Sequence, residues 1–212
     1  MGKYFFIKAR LLSFATTFLA PVSVHNFQKF KMIQDIWANI EMDSIEGDYL
    51  EFGILKGKSL LHSFNCAKKL QITNCNFYGF DSFEGFPIEN HDFFIKNNFV
   101  TNYKKVKNTF SKFKNVHILK GFFEETLKHG DVKKIDKISF AFIDCDIYES
   151  AISLLPFIKE RISRGGFIMI DDFSSIDKNG NSIYKAFIEN FDIGQDCILY
   201  DTYSNGQIYR VI

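Results

Sequence analysis

Hydrophobic positions change their spacing several times along the chain, and each change marks an element. From about Asn26 to Ile45, Phe27, Phe30, Ile33, Ile36 and Trp37 recur at helical spacing, which predicts a helix with one buried face. Asp48-Tyr-Leu-Glu-Phe-Gly53 is then a short strand-like run ending in glycine. Lys58 to Leu70 follows as a helix with Leu60, Leu61, Phe64 and Ala67 on one side. Asn76-Phe-Tyr-Gly-Phe80 reads as a second strand ending at Asp81. A polar loop leads from it into a lysine-rich helix near Asn97 to Phe113. Val116 to Leu119 is the third strand, followed by a helix from about Glu124 to His129.

Lys137-Ile-Ser-Phe-Ala-Phe-Ile-Asp144 is the most apolar run. Its continuity, rather than alternation, predicts a strand buried on both faces of a parallel sheet. Ser150 to Arg161 is helical, Arg164-Gly-Gly166 breaks that helix, and Phe167-Ile-Met-Ile170 is a fifth buried strand ending in Asp171-Asp172. A helix near Ser182 to Phe191 precedes two β-rich runs, 197–202 and 207–212, around Ser204-Asn-Gly206, a strong hairpin signal. Alternating strands and helices closed by a hairpin predict an α/β fold. It is a Rossmann-like, doubly wound, mostly parallel sheet ending in an antiparallel hairpin, with N-terminal helices. Residues 1–46 form a helical appendage, placed as a lid or as a contact between copies, and 47–212 form the main domain.

Composition narrows the function classes. A net charge of +1 with no basic stripe argues against nucleic acid as a partner. Cys66, Cys75, Cys145 and Cys197 are scattered, which excludes a closely spaced zinc site and a disulfide framework and points to reduced thiols in the cytoplasm. Leu11 to Val24 imitates the apolar core of a signal peptide. It is too short to span a bilayer, and a helix packed on the domain is the favoured reading.

In parallel sheets of this kind ligands bind beyond the carboxyl ends of the strands, so polar residues there carry the chemistry. Glu51-Phe-Gly-Ile-Leu-Lys-Gly-Lys-Ser59 turns strand one into a helix. Gly53 and Gly57 permit a tight turn, and the helix start presents free N–H groups. The spacing matches neither the nicotinamide fingerprint nor the phosphate loop, so a cofactor lacking a pyrophosphate fits better. Asp81 can accept hydrogen bonds from two ribose hydroxyls, or else cap its own turn. Asp144 and Asp146 end strand four, and Asp171 and Asp172 end strand five. If those strands are neighbours the acids converge, and they then need raised pKa values or a bound cation. An oxygen-only donor set favours Mg²⁺ or a similar hard ion. Paired acids serving as caps and turn residues are the alternative.

Four segments in order resemble the TylF/MycF-type (macrocin O-methyltransferase-like) family of class I methyltransferases. They are Tyr49-Leu-Glu-Phe-Gly with Lys56-Gly-Lys-Ser59, Tyr78 to Pro87, Gly121 to Leu127, and Asp144 to Ser150 joined to Gly165 to Phe173. The resemblance implies an S-adenosylmethionine-dependent, divalent-metal-assisted O-methyltransferase. Its acceptor would be a small-molecule sugar or nucleotide sugar. Glu51, Gly53, Gly57 and Ser59 fall in the segment around the methionine part of the cofactor; Asp81, with Ser82 beside it, matches the ribose-binding acid. Asp144 matches the strand-end acid facing the cofactor, and Asp146, Asp171 and Asp172 match the metal-binding aspartates. Asp146 is the first candidate for taking the acceptor proton, and His91 the second. Cys145 stands where the family usually has glycine, and Phe173 where it often has tyrosine. Two rival readings stay open: a methyltransferase-like module that binds the cofactor without turnover, and a nicotinamide oxidoreductase, which the missing glycine fingerprint and the terminal hairpin disfavour.

Overall fold

A computed structural model describes residues 21–88 and 99–212. Seven strands form one sheet in the order β3-β2-β1-β4-β5-β7-β6: β1 (Asp48–Phe52), β2 (Phe77–Asp81), β3 (Val116–Lys120), β4 (Ile138–Ile143), β5 (Ile162–Ile170), β6 (Cys197–Tyr203) and β7 (Gly206–Val211). The first five are parallel, and β7 lies antiparallel between β5 and β6. The expected architecture is therefore present, with the hairpin's second strand inserted beside β5. Its turn is Ser204-Asn205, with Tyr203 paired to Gly206.

Helices cover both faces. On one side lie α1 (Pro21–Met42), α2 (Lys58–Lys69) and α3 (Tyr103–Phe110), joined to the sheet through Ile33, Trp37, Leu60, Phe64 and Phe110. On the other lie α4 (Phe123–Thr126), α5 (Tyr148–Arg161) and α6 (Ile183–Asn190), joined through Leu154, Ile158, Ile183 and Phe187. Strand β4 explains why both are needed. All six of its residues are buried, with Phe140 and Phe142 in the first core and Ala141 and Ile143 in the second. Trp37 is fully buried among Tyr49, Phe77 and Phe140, and its indole N–H donates to Ser63 Oγ at 2.6 Å. Truncating a side chain of that size costs about 3–5 kcal/mol, so α1 is held to the sheet firmly from Ile33 onward.

Several local expectations need correcting. Phe27 is 74% exposed, so it does not belong to the buried face of α1. The face turns instead through Lys29, Ile33, Ile36, Trp37 and Ile40. Strand β5 begins at Ile162 rather than Phe167; the Arg164-Gly-Gly segment bulges from the β4 ladder, with Gly165 at φ +80°, and a Cβ on Gly166 would press on the Ser163 and Ser139 carbonyls. The helix expected at 124–129 is a single turn, and α3 begins at Tyr103. The apolar Leu11–Val24 segment lies mostly outside the described residues, and no described helix is long and apolar enough to cross a membrane.

Candidate active site

Strand order reverses between β1 and β4, and the loops leaving β1, β2, β4 and β5 open there into one cavity of about 590 Å³, a size suited to a cofactor-sized ligand. Gly53 sits at the join. It has φ +95°, and a Cβ there would fall 1.9 Å from the Asp144 carbonyl oxygen, so only glycine lets the ends of β1 and β4 meet. Asp81, 9% exposed, accepts from Leu55 N at 2.8 Å and from Phe83 N at 2.6 Å, and also lines the cavity. Burial pushes its carboxyl up, against the pull of those two amides. Each oxygen keeps a second lone pair, so the turn-capping role and a ligand-binding role are compatible. Ser82 Oγ donates to the Gly85 carbonyl at 2.7 Å and accepts from Glu84 N, shaping the same wall.

Glu51, Gly57 and Ser59 are not on the cavity wall among the described residues. Glu51 is fully buried behind it, accepting from Tyr49 Oη at 2.7 Å and from Ser59 Oγ. Burial raises its carboxyl to about 7, with the two hydroxyls pulling the other way. Gly57, φ +72°, lies where a Cβ would strike the Phe110 ring. These three residues build the floor of the β1–α2 turn.

On the far side β4 and β5 deliver the acids together. Asp144, Asp171 and Asp172 each bring a carboxylate oxygen within 4.8 Å of the others. Asp146 lines the same cavity outside that triplet. Asp146 (φ 64°) and Asp172 (φ 46°) both hold left-handed backbones, a conformation that aspartate tolerates better than most residues and that clusters at functional sites. Burial, then Asp144, Asp172 and Asp171, push the Asp146 carboxyl well above its ordinary range. Asp144 is also pushed up, by burial first, with Lys29 opposing and Asp171 adding. Asp171 goes the other way: although burial works against its charge, the hydrogen bond from His25 and the nearby Lys29 ammonium hold it at about 2.

Sequence reasoning missed those two partners. Val22, His25, Asn26 and Lys29 form one stripe of α1 along the cavity, at i, i+3, i+4 and i+7. His25 Nε2 lies 3.1 Å from Asp171 Oδ2, and Lys29 Nζ lies 3.1 Å from Asp144 Oδ2 and contacts Asp171 as well. Burial disfavours the Lys29 charge, but the two carboxylates outweigh it and hold the ammonium above the usual lysine range. Tyr203 Oη donates to Asp171 Oδ1 at 2.9 Å, and Asn205 Nδ2 donates to Asp172 Oδ1 at 2.8 Å. The i, i+4 pairing of His25 with Lys29 was the available signal. His91 lies outside the described residues.

The model of the macrocin-O-methyltransferase (TylF) family matches residues 20–205. The chain belongs to that family. By membership it is an S-adenosylmethionine-dependent O-methyltransferase. It is 22% identical over 200 residues to the demethyldecarbamoylnovobiocin O-methyltransferase of Streptomyces niveus, covering 85% of this chain and 74% of that protein. It is 25% identical over 171 residues to the 8-demethyl-8-(2,3-dimethoxy-alpha-L-rhamnosyl)-tetracenomycin-C 4'-O-methyltransferase of Streptomyces olivaceus, covering 73% of this chain and 64% of that one, just under two thirds. Among solved structures it is similar to the O-methyltransferase NovP, with a TM-score of 0.71, 20% identity, and coverage of 87% and 79% of the two chains.

Within this TylF-family chain, the carboxylate-lined half of the cavity fits a hard divalent ion by its donor set. Three carboxylate oxygens converge there, and two of the four carboxyls are pushed up, Asp144 despite its ion pair with Lys29 and Asp146 with no lysine or arginine ion pair among the described residues. Cys145 does not disturb this fit. It is buried against the second core, and burial, then Asp146 and Asp144, raise its thiol well above normal, so it stays protonated.

Proposed function

We propose that this chain transfers the methyl group of S-adenosylmethionine to a hydroxyl of a sugar or sugar-containing small molecule, nucleotide-linked sugars included, with the help of Mg²⁺ or a similar divalent ion. The observation carrying this reading is that one cavity joins a ribose-suited carboxylate, Asp81, to four acids from β4 and β5. Relatives named for natural-product acceptors, one of them rhamnosylated, support the acceptor class.

Each half has its task. Gly53, Leu55, Asp81 and Gly121 line the donor end, where Asp81 binds the ribose hydroxyls and the Gly53 turn lets the cofactor approach the backbone. Asp146, Asp171 and Asp172 would hold the metal, with Asp144, whose carboxylate meets those of Asp171 and Asp172, facing the cofactor. A divalent ion bound there would supply Lewis-acid chemistry, lowering the pKa of the hydroxyl to be methylated. Asp146 accepts the hydroxyl proton, since it lines the cavity beside the other strand-end acids. Phe86, Pro87 and Phe99 supply apolar walls that exclude water from the reacting oxygen and can stack on a sugar face. The positive sulfonium is drawn to the nearby carboxylates before transfer. Residues 1–46 serve as an appendage whose α1 stripe closes the acceptor side, while 47–212 form the cofactor-binding domain. Four unbridged, buried thiols support a reducing, cytoplasmic setting.

The test is a methyl-transfer assay on nucleotide-sugar pools with Mg²⁺ or with EDTA, read as a mass gain of one methylene on the acceptor. Turnover that survives complete chelation removes the metal from the mechanism. Binding of S-adenosylhomocysteine without turnover on any hydroxyl acceptor marks a non-catalytic module instead.

A further inference from the structure

The acid centre already contains one cation, and the chain itself supplies it. Lys29 is only 9% exposed, its ammonium contacts both Asp144 and Asp171, and the Phe142 ring lies 5.7 Å beneath it. A buried ammonium is tolerated only when paired, and a carboxylate pair this close is tolerated only when neutralised. Asp146 and Asp172 differ. Among the described residues no lysine or arginine forms an ion pair with either, and Asp172 is met by the neutral amide of Asn205. The four acids therefore divide into a pair served by the chain and a pair left for something else.

We propose that Lys29 is the resident cation of this centre, filling between Asp144 and Asp171 a place that a second divalent ion would otherwise take and leaving Asp146 and Asp172, with Asp171 shared, for a single metal. The first half stands on the ion pairs alone; the second rests on the metal-assisted reading above. Because Lys29 arrives on α1, the place is filled only when that helix is docked. The centre would then hold one divalent ion rather than two, with α1 as its fourth wall. Lys29 acts here as a positioning residue, through the carboxylates it neutralises.

Titration of the full chain with Mn²⁺ at constant pH, with free ion counted by electron paramagnetic resonance, tests this in wild type, Lys29→Met and Lys29→Arg. Methionine keeps the unbranched stem and removes the charge; arginine restores it. The expected result is one bound Mn²⁺ in wild type and two in K29M, or one bound about tenfold more tightly as the carboxylates lose their competitor, with K29R behaving as wild type. Thermal unfolding gives a second readout, since Mn²⁺ should raise the midpoint of K29M more than that of wild type. If K29M folds only when Mn²⁺ is added, the same conclusion follows; if it stays unfolded at every Mn²⁺ concentration, the place is not one a metal can fill, and the proposal fails. Equal stoichiometry and equal affinity in wild type and K29M overturn the proposal while leaving the metal-assisted reading intact. Binding to K29M alone supports the resident cation and overturns metal assistance in the native protein. Binding to neither overturns both.

Discussion

The donor and acceptor halves of the cavity both place acids at strand ends, yet they satisfy them in opposite ways. At β1 and β2 each carboxylate is answered from within: Asp81 by two backbone amides, Glu51 by two hydroxyls. At β4 and β5 four acids gather around one lysine, one histidine, a tyrosine hydroxyl and an asparagine amide. The first half is complete without a cation and needs only shape from its ligand. The second gathers four carboxyls around a single lysine, and on the metal-assisted reading proposed above a cation from outside completes it. Substitutions that respect this division should therefore separate donor binding from turnover.

The largest effect should come from the unserved pair. Asp146→Asn or Asp172→Asn removes one charge without disturbing the left-handed backbone, which asparagine also accepts. We expect kcat to fall by about 10²–10³, roughly 3–4 kcal/mol, while calorimetric affinity for S-adenosylhomocysteine changes less than about threefold. A parallel loss of cofactor affinity would erase the distinction between the halves.

Gly53 is where the halves touch, so Gly53→Ala should damage both. With a Cβ 1.9 Å from the Asp144 carbonyl and a backbone at φ +95°, the strands must part. A cost of about 3 kcal/mol corresponds to a melting point lower by roughly 6–12 °C for a chain of this size, together with weakened cofactor binding. An unchanged melting point would show that the two strand ends are not held as tightly as this contact requires.

That same junction shows what was legible in the sequence and what was not. The Gly53 turn, Asp81 and the paired aspartates could be read because each lies at the end of an apolar strand run, where the period changes abruptly. Their convergence followed from placing β4 beside β5. Lys29 and His25 were hidden because a helical wheel drawn through Phe27 and Phe30 turns them away from the core, whereas Phe27 is exposed and the polar stripe faces the acids. Hydrophobicity marks a core face but cannot see a buried charge whose partners lie more than 100 residues away. Ser59 and Glu51 were read at the right loop and lie one layer behind the cavity wall, since sequence places a side chain on a turn without saying which way it points.

Glu51 allows the internally satisfied half to be tested by pH. Its folded carboxyl titrates at about 7, above the ordinary 4.5. Between those values the folded state keeps a proton that the unfolded chain has released, so Glu51 makes stability fall as pH rises from about 4.5 to 7, with no further change above. The fall is of the order of 3 kcal/mol. Glu51→Gln should remove this slope, matching wild type near pH 4.5 and exceeding its stability at pH 8, as measured by denaturant titration at each pH. Parallel curves for the two proteins would mean that the buried carboxyl is compensated by groups beyond Tyr49 and Ser59.

The smallest effect, and the sharpest separation of the halves, should come from Asp81→Asn. Asparagine keeps one carbonyl oxygen for the Phe83 or Leu55 amide but places an NH₂ against the other, and on the proposed reading it withdraws charge and acceptors from the ribose hydroxyls. Stability should fall by about 1 kcal/mol or less, because a single amide loses its acceptor. Affinity for S-adenosylhomocysteine should drop about tenfold, near 1.4 kcal/mol. At saturating cofactor, kcat should stay within about twofold of wild type, since nothing at β4 and β5 has changed. This is the mirror image of the Asp146 and Asp172 variants. If Asp81→Asn instead lowered kcat with cofactor affinity intact, the carboxylate at the tip of β2 would belong with the acids that act on the acceptor, and the division of the cavity into a self-satisfied half and a cation-seeking half would fail at its clearest point.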